Sequence, residues 1–138
     1  RFSQFSYKGA IDLPAMQWQF FNPKGGISLA ISPNATLYYS IGRTGREPTR
    51  TDILGGNDDL VGDSLGLPLL GITNAEYVLD NEFGYRMQGR NWAFGANLFY
   101  MLFNNEITLN GQFGPNGLAL NSTFAKSFRS GFEFQGRW

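Results

Sequence analysis

Leu79-Asp80-Asn81-Glu82-Phe83-Gly84-Tyr85-Arg86-Met87-Gln88 alternates without a break. Leu79, Asn81, Phe83, Tyr85 and Met87 fall on one side of an extended chain, and Asp80, Glu82, Gly84, Arg86 and Gln88 on the other. Successive side chains of a strand point to opposite faces, so this period of two predicts a strand with one greasy and one polar face. The same reading extends in both directions. Ile27, Leu29 and Ile31 oppose Lys24, Gly26, Ser28 and Ala30, and Leu37, Tyr39 and Ile41 oppose Thr36, Tyr38 and Ser40. Trp92, Phe94, Leu98, Tyr100 and Leu102 oppose Ala93, Gly95 and Asn97. At the end of the chain Phe128, Phe132, Phe134 and Trp138 oppose Arg129, Glu133, Gln135 and Arg137.

The connections are unequal. Ser32-Pro33-Asn34 and Gly89-Arg90-Asn91 read as tight turns, because Pro, Asn and Gly supply the backbone angles a reversal needs. Gly42 to Tyr77 and Asn105 to Lys126 read instead as two long polar loops. Such lengths are out of place in a compact soluble domain. They suit a transmembrane β-barrel, with short turns at one rim and long loops at the other. The alternation by itself fits two architectures: a sandwich with its greasy face against a second sheet, or a barrel with that face toward lipid.

Composition narrows the function. The 138 residues amount to a single domain at most, with 11 Lys+Arg against 11 Asp+Glu, which does not suggest a nucleic-acid partner. Charged residues make up 16%, against about a quarter in ordinary soluble domains. Aromatics and glycine are abundant, an all-β signature. There is no cysteine and no histidine, which removes disulfides, thiolate chemistry and the usual general base and metal ligand. No apolar run approaches the roughly 18 residues of a transmembrane helix.

Phe21-Asn22-Pro23-Lys24-Gly25-Gly26-Ile27 and Ser32-Pro33-Asn34-Ala35-Thr36-Leu37-Tyr38-Tyr39-Ser40-Ile41-Gly42-Arg43 are followed by Arg46-Glu47-Pro48-Thr49. Farther on come Asn81-Glu82-Phe83-Gly84-Tyr85-Arg86, the run from Asn97-Leu98-Phe99-Tyr100-Met101 to Asn105-Glu106-Ile107, and Arg129-Ser130-Gly131-Phe132-Glu133. In type, order and spacing these resemble the barrel of TonB-dependent outer-membrane receptors, from about Trp18 to Trp138. Where that family often carries Leu-Lys-Pro-Glu, this chain reads Ile72-Thr73-Asn74-Ala75-Glu76.

The resemblance implies an all-β fold of antiparallel strands, with residues 1–138 forming part of a transmembrane barrel. About five or six strands are expected here, whereas plugged transporters have about 22, so the chain reads as a fragment. Trp138 then stands where the chain was cut after a mid-barrel strand rather than as a terminal assembly signal. It further implies energised uptake of a bulky nutrient such as an iron-siderophore complex, in a bacterial outer membrane. The expected partners are that ligand, outer-membrane lipids and the TonB complex, reached through a plug domain absent from these residues. No cofactor is implied.

Loops carry function on rigid scaffolds, so Arg46, Arg50, Asp52, Asp58 and Asp59 in the first loop are the expected ligand-facing residues. A guanidinium could grip an anionic chelate bidentately. Gly55-Gly56-Asn57-Asp58-Asp59-Leu60-Val61-Gly62-Asp63 resembles one unit of calcium-binding nonapeptide repeats, but without the stacked neighbours such repeats need. A single calcium ion on Asp58, Asp59 and Asp63 is the lesser alternative. Carboxylate pairs such as Asp80 with Glu82, or Glu106 with Glu133, read as solvated lumen charges, and no nucleophile–base set suggests an enzyme. Asn34-Ala35-Thr36 and Asn121-Ser122-Thr123 match a glycosylation pattern but read as turn and loop residues. The contrasting reading is a soluble β-sheet module that binds a partner through an exposed face or edge.

Overall fold

The computed structural model describes residues 1–138. In chain order it contains β1 (Phe2–Tyr7), β2 (Leu13–Gln19), β3 (Lys24–Ser32), β4 (Ala35–Arg46), α1 (Arg50–Ile53), β5 (Glu76–Gln88), β6 (Ala93–Phe113) and β7 (Ala119–Arg137). β1 and β2 form a hairpin of their own, and β3-β4-β5-β6-β7 form an antiparallel sheet in which every strand pairs with its sequence neighbour. The sheet is open, with β3 and β7 as its outer strands. No helix is long and apolar enough to cross a membrane.

Register turns the alternation into two faces. One row runs Ile27, Tyr39, Phe83, Leu98, Phe132, and the next Leu29, Leu37, Tyr85, Ala96, Phe134. The opposite face has the rows Gly26, Ser40, Glu82, Phe99, Gly131 and Ser28, Tyr38, Gly84, Asn97, Glu133. Nothing in this chain covers the apolar face: Ile27, Leu29, Phe83, Leu98, Phe132 and Phe134 are all exposed. Only 16 of 138 residues are buried, so the sheet has no second layer and no sandwich core. Backbone pairing holds it together instead: 58 of the chain's 74 backbone hydrogen bonds lie within its strands and helix.

On the polar face, aromatic rings lie across glycines. A Cβ at Gly84 would meet Tyr38 Cζ at 2.0 Å, so only glycine leaves room for that ring. Tyr38 then donates its hydroxyl to Asn97 Oδ1 at 3.2 Å, and the Arg86 guanidinium sits 4.7 Å over the ring.

The two long connections differ from expectation. Arg43 to Arg46 remain in β4 and pair with Leu79 to Glu76, which leaves a loop of residues 47–75. Most of Asn105 to Lys126 is strand: β6 and β7 run on as a hairpin closed by residues 114–118, with Gly117 at φ 75°. The alternation there is hidden because Asn105 takes φ 53°, a left-handed conformation that Asn tolerates best among side-chain-bearing residues. Strict alternation would place Glu106 on the apolar face with Leu102. Its carboxylate instead bonds Ser127 and Arg129, which stand opposite Phe103 and Met101 on the polar face.

Candidate functional site

Beyond the end of the sheet where the long connections emerge, three pieces pack into one platform. The loop begins with a capping box: Asp52 N donates to Thr49 Oγ1 at 3.3 Å, and Thr49 N donates to Asp52 Oδ2 at 2.9 Å. This reciprocal pair starts α1, and Gly55 (φ 61°) and Gly56 (φ 78°) end it in conformations costly to any other residue. The returning arm then docks back, with Gly71 N bonded to Ile53 O at 2.9 Å and Ile72 N to Asp52 O at 2.8 Å.

The β1–β2 hairpin closes over this loop. Leu13, Ile53, Leu54 and Leu60 make the only buried apolar cluster, flanked by Phe5, Tyr7, Ile11, Met16 and Trp18. Polar bonds frame it: Trp18 Nε1 to Thr73 O at 3.1 Å, Ser3 Oγ to Glu47 Oε1 at 2.8 Å, and Tyr7 OH to Asp59 Oδ1 at 2.8 Å. The β6–β7 tip is the third piece, with Asn121 Nδ2 on Asp52 Oδ1 at 2.8 Å and Asn116 Nδ2 on Asp58 Oδ1 at 3.3 Å.

Each sequence-selected residue therefore has a definite place. Arg46 lies at the end of β4 and forms a fork with Glu76, Nε to Oε1 at 3.0 Å and Nη2 to Oε2 at 3.1 Å, and also reaches Ile107 O at 3.1 Å. Asp52 is buried and fully engaged in its cap and with Asn121. Arg50, Asp58 and Asp59 are exposed and adjoin one another around Tyr7 and Asn116. Arg50 spends one Nη2 on the Asp58 carbonyl and leaves the rest of its fork open. Tyr7, Glu76, Asn116 and Asn121 were missed, because their partners lie 30 to 69 residues away and no local spacing announces them.

No three acidic side chains converge on a metal position. Asp58 faces Asn116, Asp59 faces Tyr7, and Asp63 caps its own turn by accepting from Leu65 N and Leu67 N, so the single calcium site of the sequence reading is not formed. Of the carboxylates paired in the sequence reading, Glu106 is bound by Ser127 and Arg129.

Charge follows this wiring. Burial pushes the Glu76 carboxyl up, but the Arg46 fork and the Ile107 amide (2.6 Å) outweigh it and hold it below the usual carboxylate range. Arg46 is raised in turn, first by its bond to Glu76. The Tyr7 phenol is raised by its bond to Asp59 and then by burial. A depressed carboxylate contributes stability above its unfolded pKa and loses it as pH falls through the folded one. The loop base is therefore expected to stay closed down through 4.5, the ordinary glutamate value, and to open only at lower pH. Acid-dependent proteolysis of residues 47–75 should show that step in the wild type. In Glu76→Gln the loop should be cleaved with no acid step in this range.

The family model "TonB dependent receptor-like, beta-barrel" matches residues 1–138. No curated protein matches the chain. Solved structures with the same fold include the siderophore receptor PirA from Pseudomonas aeruginosa, 20% identical with a TM-score of 0.57 over 87% of this chain. The chain spans 24% of that receptor's length.

Proposed function

The chain belongs to the TonB-dependent receptor-like β-barrel family, and from that premise we propose that it is one wall and part of the ligand-capturing rim of an outer-membrane uptake receptor. The cargo is an iron-siderophore complex or a similarly bulky nutrient, and energy arrives from the TonB complex through a plug domain in the lumen. The apolar sheet face meets lipid and the polar face meets the lumen. The observation that carries this reading is the whole-chain family match on a sheet whose greasy face nothing in the chain covers.

Within the rim the candidate residues divide. Arg50, Asp58 and Asp59 are the ligand-facing set, exposed on a platform that other contacts already hold in place. Arg46 and Asp52 act through the platform, by fixing the loop base and its cap. A preorganised surface spends less of its binding energy on ordering side chains and loops.

The test is binding of ferric chelates of catechol, hydroxamate and carboxylate type to the full-length receptor, read by tryptophan fluorescence. Arg50→Ala is expected to weaken the best ligand by roughly tenfold or more, since a hydrogen bond to a charged group contributes about 1.5–3 kcal/mol. A receptor that binds none of these chelates removes the iron-siderophore cargo, and one that fractionates as a soluble protein of this chain's own size refutes the receptor reading. An unchanged affinity in Arg50→Ala removes Arg50 from the site.

A further inference from the structure

The apolar face of the sheet ends in cations at one border only. Its rows run from Ala35, Met87, Phe94 and Gly136 beside the tight turns to Gly45, Tyr77, Asn104 and Lys126 at the loop end. No Asp or Glu falls in these rows, and the only cations are Lys126 and Arg43, the latter in the row with Leu79, Leu102 and Phe128. Both are exposed, and neither belongs to the three ion pairs of the molecule, Arg1–Glu47, Arg46–Glu76 and Arg129–Glu106. Arg43 is also preset, because its guanidinium lies 4.4 Å from the centre of the Tyr77 ring. Tyr77 in turn packs with Phe20 over Gly45, where a Cβ would meet the two rings at 2.6 and 2.7 Å. Asn104 stands between Tyr77 and Lys126, which are about 10 Å apart across two strand spacings.

Height sets the depth of these groups. From Ala35 to Gly45 the strand covers about 25 Å along a barrel axis at about 40° of tilt, the height of the apolar band of an outer-membrane barrel. With the turn-end row at one border, Arg43, Asn104 and Lys126 stand at headgroup depth on the other, next to Leu79, Leu102 and Phe128. Long cationic side chains can reach water at such a border by snorkelling, which needs no partner and sets no lipid preference. Two unpaired cations, one held on an aromatic ring, ask instead for anionic oxygens. A zwitterionic headgroup brings a cation of its own, and this face offers no carboxylate to receive it. We propose that Arg43, Asn104 and Lys126 form a binding site for a phosphate-bearing anionic lipid headgroup, whose acyl chains lie on Leu79, Leu102 and Phe128. The site rests on the receptor reading above and belongs to the leaflet at the loop end.

The experiment places photoreactive benzoylphenylalanine at Leu102, or at Phe94 on the same face beside the turns, in the full-length receptor. The receptor is irradiated in vesicles of equimolar phosphatidylglycerol and phosphatidylcholine, and mass spectrometry identifies the adducts. At Leu102 phosphatidylglycerol is expected to exceed phosphatidylcholine by roughly tenfold or more, within what two basic residues near an anionic membrane surface supply. At Phe94 the two lipids should be near parity. Arg43→Gln with Lys126→Gln should bring Leu102 to parity as well, whereas Lys24→Gln, on the polar face, should leave its preference intact. Parity at Leu102 in the wild type, a preference unmoved by the double variant, or an adduct to protein at Leu102 alone overturns the proposal. So does a preference abolished by inorganic phosphate but not by chloride of equal ionic strength, which would mark a site for soluble anions. Protein adducts and no lipid at either position defeat the receptor reading itself, which is a different failure.

Discussion

Ile53→Ala is expected to open the loop platform while leaving the barrel wall intact. Ile53 is 1% exposed and sits in the cluster with Leu13, Leu54 and Leu60. Truncating a buried Ile to Ala costs about 2–5 kcal/mol through lost transfer energy and the residual cavity. That cost falls on a small unit: the cluster joins the β1–β2 hairpin to loop 47–75, and none of its buried members lies in the five-stranded sheet. The consequence is local unfolding rather than loss of the receptor. Hydrogen exchange on the full-length receptor should show the Gly71 and Ile72 amides, bonded to Ile53 O and Asp52 O, exchanging at least roughly thirtyfold faster, the factor that corresponds to 2 kcal/mol. Amides of β4, β5 and β6 should be unmoved. Leu65→Ala, at a position 81% exposed in the same loop, should do almost nothing. Equal protection in the Ile53→Ala and wild-type loops would mean that the cluster does not hold the platform together.

That division also explains what the sequence disclosed. Strands β3, β4 and β5 and the first half of β6 were legible because a strand with one apolar and one polar face must alternate, and Leu79 to Gln88 does so with Asn81 the one polar residue on the apolar side. The extension of β6 and β7 was not legible. Asn105 reverses the face of the residues that follow, so Glu106 and Ile107 break the period although the chain stays extended. The β1–β2 hairpin escaped for another reason. Ser3, Phe5 and Tyr7 alternate properly, but the surface they pack against is a loop tens of residues away. Of the site, the choice of loop was readable from polarity and length. The separate roles of its residues were not: Arg46 and Arg50 look alike in sequence, yet one is locked into Glu76 and the other lies open. Long-range partners decide that, and nothing in the spacing of charges encodes them.

Leu98→Arg carries the sharpest consequence for the fold's setting, because its sign depends on what the apolar face touches. Leu98 lies in the middle of the row Ile27, Tyr39, Phe83, Leu98, Phe132 and is 40% exposed. In water, an exposed leucine exchanged for arginine changes stability by about 0.5 kcal/mol or less and improves solubility. In a bilayer the same change sets a charge at mid-depth, at about 2–4 kcal/mol for a lipid-facing barrel position. Met87→Arg, on the same face beside the Gly89-Arg90-Asn91 turn, should cost only about 0–1 kcal/mol near the interface. Asn97→Arg points to the lumen and should cost no more than loss of the Tyr38 hydrogen bond, about 0.5–1.5 kcal/mol. Denaturant unfolding of the full-length receptor in lipid vesicles measures all three. The order Leu98→Arg far above Met87→Arg and Asn97→Arg requires lipid against the Phe83–Leu98–Phe132 row. Three equal and small effects would mean that this face meets water or another protein, and the barrel reading would fall with them.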